Sequence, residues 1–126
     1  MKLLLDSHIP ADVANAIGKR HLGLDVQHLA KWKGGCLLEA DDVNILAECS
    51  VEGRVWVTYD LATVPDLLAR WAEEIRDHAG VFLADDATIP PEKVGALAAA
   101  ISDLVDELGD TDTTNLVRFL QRPRRR

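Results

Sequence analysis

The 126-residue sequence predicts one α/β domain built on a mainly parallel sheet. Three observations predict it. Short apolar runs, Leu3-Leu4-Leu5, Val55-Trp56-Val57 and Val81-Phe82-Leu83-Ala84, lack polar alternation, as strands covered on both faces do. The segments between them carry apolar residues at helical spacing. The resulting order, β-α-β-α-β-α-β-α-β, suits parallel pairing through crossover helices.

Each element follows from its own residues. Lys2 to Asp6 is an apolar strand ending in an acid. Ile9-Pro10 starts a helix, because proline is tolerated in the first turn; Val13, Ala14, Ile17 and Leu22 form its stripe and Gly23 ends it. Asp25 to Leu29 alternates with period two and reads as a strand near a sheet edge. Lys31 to Gly35 is a loop. From Asp41 the pattern is helical, with Val43, Leu46 and Ala47 on one face and Gly53 at the end. Val55 to Thr58 is the third strand, leading into Tyr59-Asp60. The helix after Pro65 turns Leu67, Leu68, Trp71, Ala72 and Ile75 inward. Gly80 to Ala84 is the fourth strand, followed by Asp85 and Asp86. Pro90 and Pro91 open the longest helix, which reaches about Leu108 with Val94, Leu97, Ala98, Ile101, Leu104 and Val105 inward. Asn115 to Leu120 alternates and adds a last strand. The domain therefore spans 1–121, with a basic tail at 122–126.

Apolar residues at 48% and charged residues at 28% exclude a disordered chain. The first apolar run stops at Asp6, short of the roughly 7–15 residues of a secretory core and the about 20 of a spanning helix. No membrane partner and a cytoplasmic location are therefore expected. Cys36 and Cys49 then read as reduced thiols, and neither carries the flanking signature of a nucleophile. The net charge of −7 argues against general nucleic-acid binding through phosphate contacts. Setting aside the four arginines of Arg122-Pro123-Arg124-Arg125-Arg126 leaves −11 on the rest. The tail reads first as a solvated terminus and second as an arm for RNA or a partner.

In parallel sheets, functional groups gather beyond the carboxyl ends of the strands. That places Asp6, Asp60 and Asp85/Asp86 on one rim, with Asp41 or Asp42 joining from the start of the second helix. Carboxylates sharing a cleft raise one another's pKa unless a cation neutralises them. Such an oxygen-rich set suits Mg²⁺ or Mn²⁺ rather than zinc. The competing role of a strand-end aspartate is a helix cap or turn former. It weighs equally for any one of these acids, and more for Asp85-Asp86, which read as the cap of the long helix. Asp6 and Asp60 are the firm pair. His8 offers a ligand or proton carrier, but without a second histidine at ligand spacing a structural or solvent-facing role outweighs it. Trp32, beside two lysines, is the aromatic placed for base stacking or partner contact, whereas Trp56 and Trp71 read as packing residues. No phosphate-cradling loop, zinc ribbon or dinucleotide fingerprint appears.

These residues have a family likeness. Leu3-Leu4-Leu5-Asp6-Ser7-His8-Ile9-Pro10 is similar to the opening of the DUF5615 group of PIN-like proteins, whose first strand ends in an aspartate before an amphipathic helix. Asp42-Val43-Asn44-Ile45-Leu46-Ala47 resembles that group's second acidic motif. Val55-Trp56-Val57-Thr58-Tyr59-Asp60 resembles its third, a strand ending in Thr-x-Asp. His78-Ala79-Gly80-Val81 resembles the approach to its fourth strand, and the match covers roughly residues 1–85. The resemblance implies a three-layer α/β/α PIN-like fold and, by relation to PIN nucleases, metal-dependent cleavage of RNA. It implies that Asp6, Asp42 and Asp60 are the catalytic, metal-holding residues for Mg²⁺ or Mn²⁺, with Asp41, His8 and Thr58 as accessories. Water would attack the phosphodiester while the cations stabilise the attacking and leaving oxygens. The partners implied are an RNA substrate and, in a toxin role, a small antitoxin-like protein; a homodimer is also expected. Two departures stand out: Ser7-His8 replaces the group's Glu-Asn, and Ala62 stands where many members carry another acid. They give the alternative reading its force, a catalytically degenerate module that docks a protein partner on the same rim.

Overall fold

The computed structural model describes residues 1–123, so the last three arginines of the basic tail lie outside the described residues. The chain forms β1 (Lys2–Leu5), α1 (Asp12–Arg20), β2 (Asp25–His28), a 3₁₀ turn (Trp32–Gly35), α2 (Asp42–Glu52), β3 (Arg54–Thr58), α3 (Val64–Glu73), β4 (Val81–Leu83), α4 (Val94–Leu108) and β5 (Val117–Phe119). The strands lie in the order β2-β1-β3-β4-β5, and every neighbouring pair is parallel. Among the described residues, no helix is long and apolar enough to cross a membrane.

Two cores sandwich the sheet. Leu3, Leu5, Val55, Val57 and Phe82 pack against α1 and α4. Their sequence neighbours Leu4, Trp56, Val81 and Leu83 pack against α2 and α3. All nine are at most 2% exposed, which is why these strands carry no polar alternation. The fold is thus the expected three-layer α/β/α arrangement. From β1 the chain passes through α1 on one face to β2, then through α2 on the other face to β3. The order reverses between β1 and β3, and the crevice at their carboxyl ends is where α/β sheets place ligands.

Several expectations need correction. Pro90 and Pro91 do not open α4. The two prolines sit in a turn closed by the Lys93 N–H on the Pro90 carbonyl at 3.0 Å, and α4 begins only at Val94. Asp85 therefore does not cap α4; its carboxylate accepts the Ala87 N–H at 2.9 Å and closes a separate turn after β4. Leu22 lies beyond the end of α1 and is 92% exposed. In α2 the inward face is Ile45, Leu46 and Cys49, whereas Val43 is exposed. Ile75 falls past α3, where its backbone turns left-handed (φ 56°) and carries the side chain into solvent. Ala72 is exposed too.

Candidate functional site

Asp6 extends β1 by one residue. Its N–H bonds to the Val57 carbonyl at 3.0 Å, so the carboxyl end of β1 is locked against β3 before the chain turns. The Asp6 side chain is buried. Its Oδ1 accepts the Ser7 N–H at 2.8 Å and its Oδ2 accepts the Thr58 hydroxyl at 2.5 Å. Thr58, fully buried at the end of β3, also receives the Asp60 N–H on its hydroxyl oxygen at 3.1 Å. That hydroxyl has one proton to give and gives it to Asp6, so the arrangement is internally consistent.

Asp60 divides its two oxygens between two tasks. Oδ1 accepts the N–H groups of Ala62 and Thr63 at 3.1 and 3.0 Å and so closes the turn ahead of α3, as aspartates commonly do. Oδ2 lies 2.5 Å from the Thr63 hydroxyl. The same hydroxyl lies 2.6 Å from Oδ2 of Asp42, in the first turn of α2. A hydrogen-bonded path therefore runs from Asp6 through Thr58, Asp60 and Thr63 to Asp42, joining three strand- and helix-end acids. The neighbouring Asp41 is separate: it is the N-cap of α2, accepting the Asn44 N–H at 3.2 Å.

The Thr63 hydroxyl cannot serve both carboxylates as a donor, because it has a single proton. Either one carboxylate of the pair carries a proton of its own, or a cation balances the two. Electrostatics separate the two acids. Burial raises the Asp42 pKa, and the charges of Asp60 and Asp6 push it further, against the opposing Thr63 bond. Burial acts to raise Asp60 as well, but there the Thr63 hydroxyl and the backbone N–H donors prevail and hold it below the usual range.

The donors at this rim are all oxygens, the kind that hard divalent cations take, and apart from Asp60 Oδ1, which already accepts two N–H groups, each bonded carboxylate oxygen keeps a lone pair. The residues fit such an ion in kind. Among the described residues, however, no group of three or more His, Cys, Asp or Glu side chains is placed to hold a metal ion, and the Thr63 hydroxyl sits between Asp42 and Asp60. Beside the rim opens a groove of about 720 Å³ lined by His8, Tyr59, Asp60, Leu61, Ala62, Asp85, Asp86 and Pro91. His8 is exposed on its wall, apart from the hydrogen-bonded path. The Tyr59 hydroxyl is tied back to the Ile89 carbonyl at 2.7 Å, and burial pushes its pKa up to about 12, so it is a fixed wall and not an acid at neutral pH.

Thr63 is the residue that sequence reasoning passes over. The available signal was an acid and a hydroxyl three residues apart, Asp60 and Thr63, just ahead of Pro65. Trp32 is the opposite case. It is 3% exposed, its indole N–H points to Glu52 at 3.4 Å, and the cations of Lys33 and Arg54 stand over its ring. It packs the fold and offers no face for stacking a base. Compared with family models, curated proteins and solved structures, the chain matches none.

Proposed function

We propose that Asp6, Asp42 and Asp60 bind Mg²⁺ or Mn²⁺ and that the chain is a metal-dependent ribonuclease of the PIN-like type, acting in the cytoplasm, with a small antitoxin-like protein as its partner. The observation that carries the reading is the Thr63 hydroxyl, one proton held between two carboxylates at the strand-order reversal. Divalent cations would supply the missing positive charge and draw an anionic phosphodiester onto an acidic rim. The residues of the chain do the rest. Thr58 fixes the rotamer of Asp6, the turn before α3 fixes Asp60, and the Thr63 hydroxyl holds Oδ2 of Asp42 beside Oδ2 of Asp60. With −7 overall, the chain has little means of gripping RNA by its phosphates away from the rim, so recognition concentrates there.

The test couples two measurements on the full chain. Thermal stability is titrated with Mg²⁺ and Mn²⁺, and cleavage of a single-stranded RNA is followed with and without metal. A metal-dependent rise in Tm and metal-dependent cleavage are expected, both lost in Asp6→Asn/Asp60→Asn while the variant stays folded. Cleavage unchanged in that double variant sinks the proposal. Metal stabilisation without cleavage of any RNA replaces it with the degenerate module, the reading favoured by Ala62, which offers no further acid beside Asp60.

A further inference from the structure

At the amino ends of β4 and β5, opposite the acidic rim, lies a second groove of about 370 Å³. Two turns locked together carry it. The Asn115 N–H donates to the His78 carbonyl at 2.8 Å, and the His78 N–H donates to Asn115 Oδ1 at 3.1 Å. Asn115 Nδ2 donates to Asp77 at 2.9 Å, and the Thr113 hydroxyl donates to the Ala79 carbonyl at 2.6 Å. The groove is therefore preformed, as small-molecule sites usually are.

His78 is 6% exposed, and its Nδ1 accepts the Gly80 N–H at 3.1 Å. An accepting Nδ1 leaves the proton of the neutral ring on Nε2. Burial lowers the His78 pKa against the opposing charge of Asp77, so the ring is neutral at neutral pH. Among the described residues nothing accepts the Nε2 proton, yet Nε2 is not one of the polar atoms sealed in the core. It therefore opens on the groove that the ring lines. A donor on a buried side chain is costly to leave bare, and an acceptor in the groove would satisfy it.

The mouth of the groove has its own irregularity. α3 closes with the Arg76 N–H on the Trp71 carbonyl at 2.8 Å and the Ile75 N–H on the Ala72 carbonyl at 3.1 Å. This pair of bonds ends many helices around a glycine. Here isoleucine holds the left-handed position (φ 56°), with its side chain 91% exposed. A β-branched residue is strained there and gains no burial, so the helix end alone does not account for it. Beside it the Arg76 guanidinium stacks on the Trp71 ring at 3.9 Å, with Glu74 at 3.6 Å as its nearest acid among the described residues.

We propose that this groove binds a small organic monocarboxylate, its oxygens taken by the Arg76 guanidinium and the His78 Nε2–H and its apolar body by Leu68, Ala72, Ile75 and Val117. Charge and shape select this ligand. The guanidinium fork matches a carboxylate or a phosphate. Asp77 opposes a second negative charge, which disfavours a phosphate, whose charge at neutral pH is nearer two. The rest of the wall is apolar and offers a sugar or a second charged group no partner. The site needs neither metal nor RNA, so it stands or falls apart from the reading of the rim.

Titration of the ¹⁵N-labelled full chain with phenylacetate and with 4-methylpentanoate tests the site by nuclear magnetic resonance. Without ligand, the His78 ring is expected as the Nε2–H tautomer. At least one of the two acids is expected to bind with a millimolar Kd, moving the His78 Nε2 signal and the amides of Ile75 and Val117 but not those of Asp6 and Asp60. The matching neutral amide, phenylacetamide or 4-methylpentanamide, should bind at least several-fold more weakly, because it lacks the charge that Arg76 meets. Arg76→Gln, a change at the surface, should weaken the acid about tenfold. Ile75→Gly suits the left-handed position, so it should keep the fold and still weaken binding several-fold. No binding of either acid, an Nδ1–H tautomer, an amide that binds as well as its acid, or an affinity unchanged in both variants overturns the proposal.

Discussion

The amino and carboxyl ends of β1 and β3 hold two polar clusters built on opposite terms. At the amino end, Arg54 is 4% exposed and uses its whole guanidinium. It bonds to the Leu3 carbonyl at 3.0 Å, to both Asp25 oxygens at 2.9 and 3.2 Å, and to Glu52 at 3.1 and 3.2 Å. Lys33 reaches Glu52 at 2.8 Å from outside. Each carboxylate there faces a cation, and the fork on Asp25 is bidentate, the strong form of this contact. At the carboxyl end, Asp6, Asp42 and Asp60 face hydroxyls, backbone N–H groups and one another. The first cluster is neutralised from within and ties α2 and edge strand β2 to the sheet. Among the described residues, the second has no cation bonded to its carboxylates. A site is best sought at the end whose charges do not balance.

Removing Arg54 is expected to produce the largest effect. Arg54→Met should cost about 3 kcal/mol in urea unfolding, because it strands Asp25 and the Leu3 carbonyl beside an apolar strand; Glu52 keeps Lys33 and Asp25 keeps some access to water, which holds the loss to the low end of the usual range. Asp42→Asn, the matching change at the other end, should leave stability without metal unchanged or higher, since it removes one of two repelling charges. Equal losses in the two variants would end the contrast between a structural and a functional cluster.

The next effect is smaller. Thr63→Val removes the one donor between Asp42 and Asp60 and should cost about 1 kcal/mol without metal, given the exposure of the site. Adding Mg²⁺ or Mn²⁺ should restore more stability to this variant than to the wild type, because the cation then replaces the lost proton. Equal metal responses would mean that Thr63 does not occupy the place of the ion.

How far the sequence carries these conclusions differs by element. β1, β3 and β4 were legible because residues buried on both faces leave an unbroken apolar run. Asp6 and Asp60 were legible because they close two such runs, and strand polarity alone then brings them to one rim. Asp42 could not be separated from Asp41 by pattern. Only the helix geometry shows that Asp41 turns back to cap α2 while Asp42 reaches Thr63. Arg54 was invisible for a similar reason: a charged residue ahead of Val55 reads as a loop until Asp25 and Glu52, distant or on another element, are seen to close around it. β5 was recognised as a strand, but the exposure of its alternate residues depends on where α3 stops covering the sheet.

The smallest effect, and the most direct reading of the contrast, is the response to pH. Asp25 is held below its ordinary value chiefly by the Arg54 hydrogen bonds, and Glu52 by Lys33 and then Arg54. A lowered carboxyl contributes stability that is present above its unfolded pKa, about 4, and is lost as the pH falls through its folded value. Asp42 is shifted the other way by burial and its acidic neighbours. Its contribution is present below the unfolded value and is lost as the pH rises through the raised folded value. Subtracting the Tm of Asp42→Asn from that of the wild type at each pH isolates this contribution. The difference should fall as the pH rises from about 4 toward neutrality. His78 does not disturb the subtraction. Burial lowers its pKa, and its Nδ1 accepts the Gly80 N–H at 3.1 Å, so its own loss of stability as the pH falls below 6.5 is common to both proteins. Saturating Mg²⁺ should flatten the difference, because an ion at the rim keeps Asp42 ionised across the range. A difference that rises with pH, or one that Mg²⁺ leaves untouched, would place Asp42 among the neutralised structural acids of the opposite end.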